Sequence, residues 1–273
     1  MRFINPKTDF AFKKLFGDEQ NKEILISFLN AILYQSNSAL ESLEILNPYQ
    51  PPKIRGVKDS YLDIRAKLNN EQTVIIKMQV LNVEGFEKRI LYNAAKAYSI
   101  QLDTGVDYTL LNPVIALTIT DFEMFPNLDK VISRFVLERD YLIDYLIYDI
   151  ELVLVELPKF GKKLEELETL TDKWIYFLKN AKSLEVVPEQ MGEVPAINKA
   201  FEVANRVGLT REELEDLEHQ EIYIQDQRNA ITKAVKQKAS EIAKGLLDVL
   251  DEATIAQTTG LSIEEIQKLK QAR

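Results

Sequence analysis

Cysteine is absent from this chain, which excludes disulfides and thiolate metal sites. Histidine is nearly absent: His219 stands alone in a charged stretch with Glu218 and Glu221. One histidine and no cysteine leave neither a histidine-activated nucleophile nor a zinc site enough residues. His219 reads as a solvated helix residue, and any hydrolytic chemistry falls to carboxylates, lysines and metal. Long apolar runs are missing too. Stretches such as Val114–Leu117 are far too short to span a bilayer, so no membrane partner is expected. No apolar run follows MRFINPKTDF, so no signal peptide is expected, and a cytoplasmic location is. Positive charge is in deficit: the formal net charge of −9 argues against coating nucleic acid by bulk electrostatics.

What remains is ordinary globular material, 273 residues with 46% hydrophobic and 28% charged. That length allows one large domain, or a domain with an appended unit. Charge is unevenly spread. From Gln50 to Gln101 nine bases, among them Lys53, Arg55 and Lys58, meet five acids, a net +4 that leaves −13 elsewhere. A localised anion-binding cleft fits that pattern, and scattered surface charge gives the same count.

Asn5-Pro6 predicts a helix start over Lys7–Phe16, with Asn5 as cap and Pro6 in the first turn. Gly17 interrupts it, and Glu23–Tyr34 continues at helical spacing. Leu43–Leu46 predicts a short strand stopped by Asn47-Pro48 and Pro51-Pro52. Tyr61–Leu68 alternates, with Leu62, Ile64, Ala66 and Leu68 on one face and Tyr61, Asp63, Arg65 and Lys67 on the other. Thr73–Val80 alternates likewise, and Asn69-Asn70-Glu71 supplies the turn of a β-hairpin. Gly85–Leu102 predicts a helix and Pro113–Thr120 a strand buried on both faces. Ser133–Leu137 and Ile147–Leu157 predict further strands; Leu164–Ala181, Ala196–Val207 and Arg211–Leu250 predict helices. Trp174, Tyr176 and Phe177 read as a packing stripe rather than a base-stacking platform.

The loop sets the hairpin register. Leu68 opposite Gln72 puts Asp63 opposite position 77, with Cβ atoms about 5 Å apart. Two carboxylates there would chelate Mg²⁺, which takes oxygen ligands and can activate water. This chain has Lys77 instead, so a cross-strand ion pair is expected.

Five blocks carry a resemblance: NPKTDFAFKKLFG, PYQPPKIRGVKDSYLDIRAKL, TVIIKMQVLNVEGFEKRILYNAAKAYS, LLNPVIALTITDFEMF and ETLTDKWIYFLKNA. From Met1 to about Ala181 the chain resembles the recombination-promoting nuclease and putative transposase family of the PD-(D/E)XK nuclease superfamily. The resemblance implies an α/β (α+β) restriction-endonuclease-like core, a mixed sheet flanked by helices, and a helical C-terminal region. It implies a Mg²⁺-dependent DNA endonuclease with an Asp on one hairpin strand and Glu-x-Gln on the next. Asp63 matches the Asp and would be a metal ligand, Gln79 matches the Gln, and Lys77 replaces the Glu. Asp9 matches an acid of the first helix that joins the site, and Arg89 and Tyr92 match a polar pattern that contacts phosphate or packs locally. An ammonium at position 77 predicts weak Mg²⁺ binding and impaired cleavage, unless Glu84 or Glu87 supplies a carboxylate. The alternative is a non-catalytic descendant that binds DNA or dimerises.

The expected organisation is a nuclease-like core over 1–160, a helical extension over 161–210, and a long helix with a helix-turn-helix-like tail over 211–273. In the tail, Ala256, Gly260 and Ile266 have that motif's spacing. Glu264 and Glu265, early in the second helix, favour packing or a homodimer over DNA reading.

Overall fold

The computed structural model describes residues 3–35, 39–50, 60–102, 105–138 and 146–271. Pro51-Pro52 and three bases of the basic segment, Lys53, Arg55 and Lys58, lie outside the described residues, as does Met1. The chain falls into two compact units, Met1–Gln220 and Glu221–Arg273.

In the first unit, α1 (Asp9–Phe16) and α2 (Lys22–Leu33) precede β1 (Leu43–Leu46), β2 (Tyr49–Gln50), β3 (Ser60–Tyr61), β4 (Ile64–Leu68) and β5 (Thr73–Gln79). Then come α3 (Phe86–Ser99), β6 (Val114–Thr120), β7 (Ile132–Glu138) and β8 (Leu146–Glu156). Helices α4 (Leu170–Asn180), α5 (Glu189–Gly192), α6 (Pro195–Val203) and the first turns of α7 (Arg211–Leu246) complete it.

Strand order in the main sheet is β1-β4-β5-β6-β8-β7. The pairs β1/β4, β4/β5 and β7/β8 are antiparallel, while β5/β6 and β6/β8 are parallel, so the sheet is mixed as expected. All seven β6 residues are buried, because helices cover both faces of the sheet there. On one face Ile64, Ala66, Val74, Ile76, Ile115 and Leu117 share a core with side chains of α1, α2, α4 and α6. On the other, α3 covers Ile75, Val114 and Ala116 with Ala94 and Ala97.

Trp174 and Phe177 are fully buried in the first core, Trp174 edge-on to Phe28 with ring centroids 5.8 Å apart. The helices expected as an extension over 161–210 thus pack into the same hydrophobic core as the sheet.

Two local expectations are corrected. The first helix begins at Asp9 with Thr8 as its cap: Thr8 Oγ1 accepts from Ala11 N at 3.3 Å. Asn5 makes a turn ahead of it, its Oδ1 accepting from Lys7 N at 3.2 Å and its carbonyl from Thr8 N at 3.2 Å. The extended reading of Tyr61–Leu68 also breaks. Tyr61 pairs with Tyr49 in a separate two-stranded ribbon, and β4 starts only at Ile64. The break at Asp63 sends Leu62 to the α3 face, opposite Ile64 and Ala66.

In the second unit, the end of α7 packs with α8 (Glu252–Thr259) and α9 (Ile263–Gln271) around Ala243, Ile255, Leu261 and Ile266. Gly260 takes the left-handed conformation (φ 71°) that turns α8 into α9, which a side chain would strain. Asp251 caps α8 through the backbone N–H groups of Ala253 and Thr254, both at 3.0 Å. Glu265 pairs with Lys236 at 2.5 Å. Among the described residues no helix is long and apolar enough to cross a membrane.

Candidate functional site

The hairpin forms in the register its loop demands. Leu68 N donates to Gln72 O at 2.8 Å, Glu71 supplies the left-handed turn residue (φ 68°), and Ile64 stands opposite Ile76. Asp63 therefore meets Lys77. The Lys77 ammonium donates to Asp63 Oδ1, and Met78 N donates to Asp63 Oδ2 at 2.6 Å. The Asp63 side chain is 2% exposed and that of Lys77 30%. Burial pushes the Asp63 carboxyl above its ordinary range; the Lys77 charge and hydrogen bond and the Met78 N–H oppose this.

Asp9 joins the same electrostatic neighbourhood, its negative charge adding to the upward push on Asp63. Its carboxylate is itself paired with Lys13 at 2.8 Å. Gln79, two residues beyond Lys77 on β5, accepts from Arg89 Nη2 at 3.1 Å through Oε1 and donates to Leu81 O at 2.8 Å. Arg89 lies over the Phe86 ring, 5.0 Å from its centroid. Tyr92 sits one turn further along α3, 40% exposed. Glu84 and Glu87 are both exposed.

A divalent ion does not fit this donor set. Both Asp63 oxygens are already engaged, one by an ammonium carrying the sign of charge a metal would bring. A lysine cannot serve as an oxygen ligand to a hard cation. Among the described residues no cluster of three or more His, Cys, Asp or Glu could hold a metal.

Residue-by-residue reading misses a second ion pair, at the end of β6. Lys7 Nζ lies 2.9 Å from Asp121 Oδ1, with side chains 16% and 13% exposed. Asp121 directly follows β6, and its N–H donates to Gln79 O at 3.0 Å. The available signal was a lone acid at the end of an otherwise uncharged buried strand. Glu156, fully buried at the end of β8, accepts from Met124 N at 2.6 Å, Phe125 N at 3.1 Å and Lys159 Nζ at 2.7 Å. It anchors the segment that leaves Asp121.

A family model described as PD-(D/E)XK nuclease family transposase matches residues 6–234, which span every residue of this site. Among curated proteins and among solved structures, none matches.

Proposed function

The chain belongs to the PD-(D/E)XK nuclease family transposases, and from that premise we propose that it is a DNA-directed phosphodiesterase scaffold whose cleavage Lys77 impairs. The observation that carries this reading is the Lys77–Asp63 ion pair on the active-site hairpin. The pair puts a fixed cation where the family resemblance calls for a Mg²⁺ ligand, so the ion's affinity falls. What stays usable is phosphate handling. Arg89, exposed on α3, has N–H groups beyond the one given to Gln79, and a guanidinium suits phosphate. Gln79 holds Arg89 at the hairpin, Tyr92 is a second contact one turn on, and Asp9 adds its negative charge to the field at Asp63.

The second reading, a DNA-binding or dimerising descendant that does not cut, draws on the same pair. With Asp63 neutralised by Lys77, a phosphodiester faces less repulsion. Self-association is supported by Ile231, Val235 and Ile242, which are 49%, 64% and 45% exposed on α7 in the second unit. The cysteine-free composition supports a cytoplasmic location.

Supercoiled plasmid incubated with the purified chain and Mg²⁺ or Mn²⁺ tests the proposal. Nicking at or near background is expected. Robust Mg²⁺-dependent nicking, abolished by Asp63→Ala, would overturn the impairment.

A further inference from the structure

Lys7 and Asp121 lie 114 residues apart in sequence, yet their ion pair sits at the C-terminal end of β6, against the backbone of Gln79. Two residues beyond Lys7 is Asp9, whose charge reaches Asp63. Lys179 lies within electrostatic reach of both Lys7 and Asp121, its ammonium held below the usual lysine range by burial. It donates to the carbonyls of Phe160 at 2.6 Å and Pro158 at 3.3 Å. Lys7 and Lys179 thus bring two ammoniums to the Asp121 carboxylate beyond the end of β6. In a chain of net charge −9, that concentration of cations marks a local anion site.

We propose that Lys7 is a phosphate-positioning residue for nucleic acid, held in place by Asp121. This rests on reading the hairpin as a phosphodiester site. An ammonium has three donors, and the pair with Asp121 uses one of them. Asp63 and Asp121 adjoin strands two apart, and the register sets Asp121 level with Val80, three residues beyond Lys77, so the pairs stand roughly 14 Å from one another at ~4.8 Å per strand and ~3.3 Å per residue. That span exceeds a single phosphate. Lys7 therefore contacts a phosphate further along the backbone than the one that faces the hairpin, and it sets where the backbone lies rather than reacting.

Fluorescence anisotropy of a labelled DNA duplex, titrated with the full chain in EDTA across a salt series, tests this. Lys7→Gln is expected to weaken binding roughly three- to tenfold and to reduce the log–log salt slope by about 1. Lys7→Arg restores both, and Asp121→Asn, which frees the ammonium, binds as tightly as the parent or tighter. Melting curves supply the control, because both Lys7→Gln and Asp121→Asn break this ion pair and lower Tm, Asp121→Asn by at least as much since Asp121 also acts on Lys179. Equal loss of affinity in those two variants, or an unchanged slope in Lys7→Gln, would overturn the proposal and leave a purely structural pair. If Lys7→Gln fails to fold, Asp121→Asn decides: weaker binding than the parent contradicts the role. A parent chain that binds no DNA overturns it as well. Failure in Lys7→Gln with intact parental binding touches this inference alone, whereas the impaired-nuclease reading stands or falls on cleavage.

Discussion

At Asp63, burial and pairing pull in opposite directions: the protein withdraws the carboxylate from water, then returns a cation and a backbone N–H to it. Removing the cation leaves a buried, half-satisfied charge. Lys77→Ala is expected to destabilise the chain by about 2–4 kcal/mol in urea unfolding, and Asp63→Ala in that background recovers part of the loss. Equal midpoints for parent and Lys77→Ala would contradict this. The pair itself was legible in the sequence, because the Asn-Asn-Glu turn fixes register and register fixes who faces whom. Its Met78 N–H was not, since a backbone donor has no sequence signature. Thr8 displaced Asn5 as the cap because Asn5 is already committed to its own turn. The Lys7–Asp121 pair was illegible for a different reason: only the packing of the N-terminal segment against β6 brings the two together.

Elements with strong periodicity were read well, and among the strands the reading failed where a strand changes partner. The fully buried β6 and the amphipathic α3 follow from apolar spacing alone. The β2/β3 ribbon is two residues long on each strand, too short to alternate visibly, and Leu62 changes face where it ends. Ends of elements carry the polar networks. Glu156→Gln should cost about 2–3 kcal/mol, because a charge-assisted network around a fully buried carboxylate is weakened; calorimetric unfolding within 0.5 kcal/mol of the parent, roughly, would contradict that. Lys14 and Glu213 tie α1 to the start of α7 at 2.5 Å. The hydrogen bond from Lys14, then those from Thr210, hold Glu213 below the usual carboxylate range. Its contribution, about 0.2–1 kcal/mol for a partly exposed pair, is present above the unfolded value near ~4.3 and is lost as pH falls through the lower folded value. Parent and Glu213→Gln should therefore differ in Tm at pH 7 and converge in acid; a gap that persists at pH 2 would refute the assignment.

Across the whole molecule, the helix–sheet–helix core and the C-terminal helical unit each have their own hydrophobic centre. A chain ending at Gln220 should keep the cooperative unfolding of the first unit, with Trp174 fluorescence reporting its burial, and broad non-cooperative loss would argue against independence. If α7 mediates self-association, the same truncation converts a dimer to a monomer in analytical ultracentrifugation; a parent that is already monomeric would remove that proposal. Fold and family were readable at this scale because whole blocks of sequence, not single motifs, carry them. Activity was not, because in the proposed reading it turns on the charge at one position. The decisive comparison is plasmid cleavage by the parent and by Lys77→Glu in Mg²⁺ or Mn²⁺. Lys77→Glu is expected to cut, Asp63→Ala in that background to abolish the cutting, and the parent to stay near background. A folded Lys77→Glu that leaves plasmid intact, or a parent that cuts as well as Lys77→Glu, would contradict this.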